Sequence, residues 1–261
     1  MDADGKNEFE KRVNELLAGV ASQIRPSLST VFECLGTSRD GTIPPLARKS
    51  YYNLMRLIGN MSAAEKLAER ARFELSDNDL AALCSSLCGD LAPAIARERG
   101  VALAFSCRNE SVIVACEPEM MERLLLNLLS NAAKYTPRGG KITVELRSDR
   151  TDVFLTVADT GPGIPAEKLK NLFSRYLSPP DPAAAGDGLG LGLPICRRIA
   201  EGHGGRIFVE SSPRGTRVTA AIPNIKTGRH TVEEPRFDYA GGYDHVLVEM
   251  SDVLEAEDYE M

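Results

Sequence analysis

The sequence predicts an α+β chain: an N-terminal two-helix hairpin, then a domain whose helices cover one face of a mixed sheet. Three observations carry this prediction. Apolar residues recur at Phe9, Val13, Leu16, Val20, Ile24, Leu28, Val31 and Leu35, spaced by three or four, which makes one stripe of an amphipathic helix. A second helical stripe carries Leu54, Leu57, Ile58 and Met61. From residue 76 onward, short strand-like runs joined mostly as hairpins alternate with helices.

Taken in order, the first helix is broken by "GTSRDGTIPP", whose glycines and prolines end it. The second runs from about Leu46 to Phe73, so the two form a helical hairpin. Two stripes exceed what one hairpin buries, and a homodimer forming a four-helix bundle is the economical partner. The alternative is a hairpin packed on its own C-terminal domain. "LSDNDL" then supplies an N-cap for a helix through "LAALCSSLCGDLAPAIARERG". Strands "ALAFSC" and "VIVAC" lead to a helix from Pro118 to about Tyr135, and strands "KITVELRS" and "VFLTVADT" follow. A Gly/Pro-rich stretch, a helix from about Pro194 to Glu201, and strands "GRIFVES" and "TRVTAAIP" close the domain. Beyond Pro223 the chain is polar and acidic, and its one apolar patch, "HVLVEMSDVL", docks on a partner or on the body. The division is therefore 1–75 (dimerisation hairpin), 76–223 (second domain) and 224–261 (acidic tail).

Composition excludes several classes. The chain has 261 residues, 43% hydrophobic and 26% charged, as expected of a globular protein with a real core. Ten of the acids but only three of the bases lie from Asn224 to Met261, so the net charge of -6 leaves the rest near neutral. That balance offers no basic footprint for nucleic acid. No apolar run approaches a membrane span and "MDADGKNEFEKR" is not signal-like, so the chain reads as cytoplasmic, with no membrane insertion. Six scattered cysteines, of which only Cys84 and Cys88 share a helix face, read as reduced buried thiols.

Four stretches carry the residue types of a nucleotide site. "NLLSNAAKYTPRGG" sets Asn127, Asn131 and Lys134 on one helix face, where amide oxygens suit Mg²⁺ and an ammonium suits phosphate. Tyr135 is placed to stack on a base. "DTGPGIP" ends a strand with Asp159, and Gly161 and Gly163 let backbone approach a flat ligand. "GDGLGLGLP" places Gly188, Gly190 and Gly192 before a helix N-terminus, a phosphate cradle. Between them, "NLFSRYLSPPDPAAAGD" has the small residues and prolines of a lid.

In order and at these distances, the set resembles the N, G1, F and G2 boxes of sensor histidine kinases. That family shares its ATPase superfamily (GHKL, of the Bergerat α/β-sandwich fold) with gyrase, Hsp90 and the mismatch-repair MutL proteins. The resemblance runs from about Ser76 to Pro223 and ends with "EGHGGRIFVESS". It implies ATP and Mg²⁺ as cofactors, with Asn131 on the metal, Asn127 and Lys134 on the phosphates, and Tyr135 on adenine. Asp159 would accept from the adenine amino group, and Gly161 and Gly163 would shape that pocket. Phe173 and Arg175 would belong to the lid, and Gly188, Gly190 and Gly192 would surround the triphosphate. Hydrolytic members and anti-sigma serine kinases carry a glutamate base where this chain has Asn127, so rapid hydrolysis is not expected.

The resemblance also implies a phosphoacceptor in the first hairpin helix, where the family has Ser-His-Glu-Leu-Arg-Thr-Pro-Leu. Here "ASQIRPSL" aligns through Arg25 and Leu28, so Ser22 stands at the histidine position and Gln23 at the glutamate position. Pro26 replaces the threonine. The three histidines of the chain, His203, His230 and His245, all lie outside the hairpin. Ser22 lacks a base to activate it, and Gln23 accepts no proton. His203, in "EGHGG" after a helix, reads as structural. The expectation is an ATP-binding family member that does not autophosphorylate in the usual way: a pseudokinase scaffold, or a kinase acting in trans. Partners would be a second copy, a kinase with an intact acceptor helix, or a response regulator. The alternatives are an active kinase modifying Ser22 and a non-enzymatic, ATP-regulated interaction module.

Overall fold

The computed structural model describes residues 28, 30–31, 44–69, 73–169, 172, 192–229 and 245–254, without the side chains of 61–69 and 245. Of the first predicted helix only Leu28, Thr30 and Val31 are described, and all three are helical. Helix α1 spans Pro45–Glu69, and Pro45 suits its start because the first turn needs no backbone N–H there. Ala47, Ser50 and Leu54 are buried, while Leu46 and Ile58 are 52% and 51% exposed. The buried side faces the chain's own second domain, so α1 takes the second of the two packings open to it along this side.

A short strand that the sequence does not announce, β1 (Ser76–Asp79), pairs antiparallel with β3 (Ile113–Cys116). Asp79 ends it and caps helix α2 (Leu80–Arg99), its Oδ1 accepting from the N–H groups of Ala81 and Ala82 at 3.0 and 3.3 Å. Gly100, at φ 61°, terminates α2 in the left-handed conformation. Strand β2 (Ala102–Cys107) and β3 precede helix α3 (Pro118–Tyr135). The hairpin β4 (Lys141–Ser148) and β5 (Asp152–Asp159) follows, then the short helix α4 (Ala166–Leu169) and helix α5 (Gly192–Gly202). Strands β6 (Arg206–Ser212) and β7 (Gly215–Pro223) form the last hairpin.

The five-stranded sheet has the order β2-β4-β5-β7-β6, parallel between β2 and β4 and antiparallel elsewhere. Alternation decides its buried face: Ile142, Val144 and Leu146 of β4 and Val153, Leu155 and Val157 of β5 all point inward. Helices α2, α3 and α5 cover that face, supplying Leu87, Leu91, Leu124, Leu125, Leu129, Ile195 and Ile199 to one core. The chain is thus α+β, a helical region followed by an α/β sandwich, the fold class expected from the sequence. Helix α2 is, against the sequence expectation, long and apolar enough by length and composition to cross a membrane. Its stripe of Leu80, Cys84, Leu87, Leu91 and Ile95 lies instead in the core.

The body extends past Pro223. Residues 224–229 run beside the β1–β3 pair, where Ile225 accepts from Ala115 at 2.8 Å and Arg229 accepts from Asp77 at 2.6 Å. The Asp77 carboxylate takes the N–H groups of Thr227 and Gly228 at 2.7 and 2.9 Å. Helix α6 (His245–Glu249) and the turn to Leu254 dock on α1 and α3. The apolar patch of the tail therefore lies on the chain's own body. Cys84, Cys88, Cys107, Cys116 and Cys196 are free thiols, and burial pushes Cys88 and Cys116 up to about 12.

Candidate functional site

Helix α3 builds one wall of a cavity of about 240 Å³ whose other walls come from β5, the loop after it, the start of α5, and β7. The helix stops at Thr136, whose backbone N–H and hydroxyl both donate to the Ala132 carbonyl, at 2.9 and 2.6 Å. Pro137 follows and cannot continue it. This stop leaves Tyr135 at the rim, 48% exposed, with the Lys134 Nζ 5.5 Å from its ring centroid. One and two turns of apolar burial behind the rim set Ala132 and Leu128 into the cavity wall beside Asn131.

Asp159 ends β5 and contributes a carboxylate to the cavity. Its Oδ1 accepts from the N–H of Gly161 at 2.8 Å and of Thr216 at 3.3 Å, and among the described residues Oδ2 has no protein partner. Those two donors fix the plane of the carboxylate and leave one oxygen for a ligand. Gly161 is required by crowding, since a Cβ there would lie 2.8 Å from both Asp159 Oδ1 and the Tyr135 carbonyl oxygen. Gly163 is required twice over: its φ is +77°, and a Cβ would meet the Ser212 carbonyl oxygen at 2.0 Å. The remaining walls are apolar, with Val157, Ile164, Leu193 and Val218, and Lys168 is the cation on the loop side. A flat apolar slot with one acceptor at its end suits a heterocycle bearing an exocyclic amine.

The polar end lies where α3 meets the first turn of α5. A Cβ on Gly192 would stand 2.9 Å from Asn127 Oδ1 and 3.5 Å from Asn131 Nδ2, so both amides converge there. Asn127, fully buried, is not on the cavity wall. Its Nδ2 donates to the Arg123 carbonyl at 3.0 Å, and its Oδ1 is a buried acceptor with no partner among the described residues. A flipped amide would set two acceptors against each other, so this orientation stands. An orphaned buried oxygen costs about 1–3 kcal/mol. It invites a cation or a donor, whereas a phosphate oxygen would bring a second acceptor. Among the described residues no cluster of three or more His, Cys, Asp and Glu could hold a metal.

Of the residues singled out from sequence, the structure brings Asn131, Tyr135, Asp159, Gly163 and Gly192 to one cavity, with Gly161 and Lys134 at its edge. Ser22, Gln23, Phe173, Arg175, Gly188 and Gly190 lie outside the described residues. Thr216 and Ser211 had no signal in the sequence. Ser211 Oγ accepts from the Ile164 N–H at 2.7 Å and pairs with Thr216 Oγ1 at 3.0 Å, so the β6–β7 hairpin pins the loop after β5. His203, as expected, is structural. It is buried, with Nδ1 bonded to the Ile199 carbonyl at 2.7 Å and Nε2 accepting from the Glu117 N–H at 3.0 Å.

Residues 116–226 match the family described as histidine kinase-, DNA gyrase B- and HSP90-like ATPase. The adaptive-response sensory kinase SasA of Rippkaea orientalis (strain PCC 8801 / RF-1) is 34% identical over 169 residues, 64% of this chain and 43% of that protein. SasA of Synechococcus sp. (strain JA-2-3B'a(2-13)) is 30% identical over 217 residues, 78% of this chain and 56% of that protein. The chain thus spans about half the length of these curated relatives. A nucleotide-free catalytic domain of histidine kinase ThkA superposes with a TM-score of 0.52 at 29% identity, covering 58% of this chain and 99% of that one. The complex of ThkA with response regulator protein TrrA shows the same fold over 84% of this chain and 64% of that one, with a TM-score of 0.62 at 24% identity.

Proposed function

We propose that this chain, whose residues 116–226 match the histidine kinase-, DNA gyrase B- and HSP90-like ATPase family, is a member of the sensor histidine kinase family that binds Mg-ATP without phosphorylating itself in the usual way. The cavity geometry carries the first half of this reading. Asp159 Oδ2 accepts from the adenine amino group, and a guanine carbonyl in its place would face a carboxylate. Tyr135 covers the ring, and the triphosphate extends toward Gly192. Asn131 would hold the Mg²⁺ together with phosphate oxygens and water, a ligand set typical of that ion. The ion would supply charge neutralisation along the phosphates, and the buried Asn127 oxygen supports that end of the site. Lys134 adds a cation at the rim, and Gly188 and Gly190 complete the phosphate cradle, with Phe173 and Arg175 in its lid.

The second half rests on sequence: "ASQIRPSL" holds no histidine, and Ser22 and Gln23 stand where the acceptor and its base belong. The chain works in two-component signalling as an ATP-binding scaffold or as a phosphate donor in trans to a partner's histidine. Leu46 and Ile58, exposed on α1, support pairing of the hairpin with a second copy or with an intact kinase. ThkA was crystallised with a response regulator, and we extend that class of partner to this chain. The five cysteines among the described residues are free thiols, which fits a reducing compartment, the cytoplasm.

Incubation with γ-labelled ATP and Mg²⁺ tests this, with acid and base stability of any label and Asn131→Ala as the control. We expect ATP binding that Asn131→Ala abolishes, and no label on the chain itself. An acid-stable label lost in Ser22→Ala would replace this reading with a Ser22 kinase. An acid-labile label would assign catalysis to a histidine outside the hairpin.

A further inference from the structure

Residues 245–254 behave structurally as a bound peptide. Val248, Met250, Val253 and Leu254 are at most 2% exposed, yet every backbone hydrogen bond recorded for the turn that follows α6 closes within the segment itself. The segment joins no sheet. It also lies beyond the ATPase domain, whose family match ends at residue 226. None of the residues lining the cavity comes from it, although Met250, Val253 and Leu254 join the core cluster of the body.

Its acids explain what it does there. Glu249, 1% exposed, lies between two arginines from different parts of the molecule: Oε2 is 3.6 Å from Arg56 Nε of α1, and Oε1 is 3.5 Å from Arg123 Nη2 of α3. Asp252 pairs with Arg56 Nη1. The same arginines also tie α1 to α3 directly, Arg56 Nη2 donating to Ser130 Oγ at 3.2 Å and Arg123 Nη2 to Asn60 Oδ1 at 3.0 Å. Glu249 thereby sets a carboxylate between two largely buried guanidiniums of like sign, and Asp252 adds a second on the Arg56 side. The carboxylate that reconciles them arrives from the far end of the chain.

We propose that residues 245–254 are an intramolecular docking peptide that locks α1 onto α3, and that its release frees the nucleotide-binding domain to move relative to the hairpin. The groove is specific for a short apolar helix-turn that presents acids at the spacing of Glu249 and Asp252, a helix-in-groove mode of recognition. Its engagement reaches the site, because Arg123 also receives the Asn127 side chain through its carbonyl, and Ser130 adjoins Asn131.

Hydrogen exchange on three proteins tests the lock without relying on nucleotide. These are the full chain, the full chain with Glu249→Gln and Asp252→Asn, and a chain ending at Asp244. In both altered proteins we expect amides of α1 to exchange at least tenfold faster while β4, β5 and β7 are unchanged. A synthetic peptide of residues 245–254, at saturation, should restore the protection of α1 in the shortened chain, and the same peptide with both substitutions should not. Faster exchange spreading to the sheet would make the segment a core element, and unchanged α1 protection or a silent peptide would remove the lock; any of these overturns the proposal.

Discussion

Asp159 and His203 show how single groups divide between ligand recognition and folding. Two backbone N–H groups occupy Asp159 Oδ1, so Asp159→Asn keeps an acceptor there only by turning its amide NH₂ toward the ligand. A donor would then face the adenine amino group. Charged hydrogen bonds are worth about 1.5–3 kcal/mol, so ATP affinity should fall on the order of 10- to 100-fold by calorimetry, with the unliganded melting temperature little changed. His203 works on stability. Burial pushes its pKa down, against the Ile199 bond. A depressed pKa means that the unfolded chain binds the proton first. Stability should therefore be complete above the ordinary histidine value near 6.5 and decline as pH falls below it. Asp79 acts in a lower window. Burial alone would raise its pKa, but hydrogen bonds from Val112, Ser111, Ala82 and Ala81 hold it below the usual carboxylate range. Its contribution is lost only as the pH falls below about 4. Urea midpoints from pH 7.5 to 3 should show the upper step, and His203→Gln should flatten it while keeping the lower one.

At the scale of elements, legibility followed the range of the interactions. Helices α2 and α3 were readable because their signals are local: a capping aspartate, a left-handed glycine stop and apolar residues at helical spacing. Asn131, Tyr135 and Asp159 were readable for the same reason, each sitting at the end of an element whose register the pattern defines. β1 was invisible because "SDND" has no apolar alternation and is held by Asp77 reaching residues 227 and 228. The spacing set Asn127 on the same face of α3 as Asn131 but carried no signal for its depth, since only the position of α5 decides that its oxygen ends up buried against Gly192. Thr216 was missed because the pairing of β7 with β5 carries it to the cavity, and Ser211 because the β6–β7 pairing carries it to the loop after β5, neither through sequence proximity. Their role is testable. Ser211→Ala removes the acceptor of the Ile164 N–H and loosens the loop that carries Gly163, so nucleotide affinity should fall by about one net hydrogen bond, roughly 3- to 10-fold. Thermal stability of the unliganded protein should drop by about 1 kcal/mol or less.

The whole molecule is decided by how α1, α3 and the C-terminal segment share charge. Replacing one partner of a buried ion pair generally costs about 3–5 kcal/mol, because the remaining charge is stranded away from water. Arg123→Met should impose a penalty of that order in the full chain, since Arg123 is 5% exposed and Glu249 1%. A segment that can undock changes the arithmetic: the stranded carboxylate escapes into water, so the loss cannot exceed the free energy of docking. In the chain ending at Asp244 the groove is open and Arg123 is resolvated, so Arg123→Met should cost only the bond to Asn60 Oδ1, about 1 kcal/mol. The resulting coupling between residue 123 and the segment, measured as a double-mutant cycle on urea midpoints, equals the docking energy when docking is the weaker of the two. A cycle that closes near zero, with Arg123→Met equally costly in both chains, would show that the arginine stabilises α3 on its own account. The C-terminal acids would then decorate a junction that packing already holds.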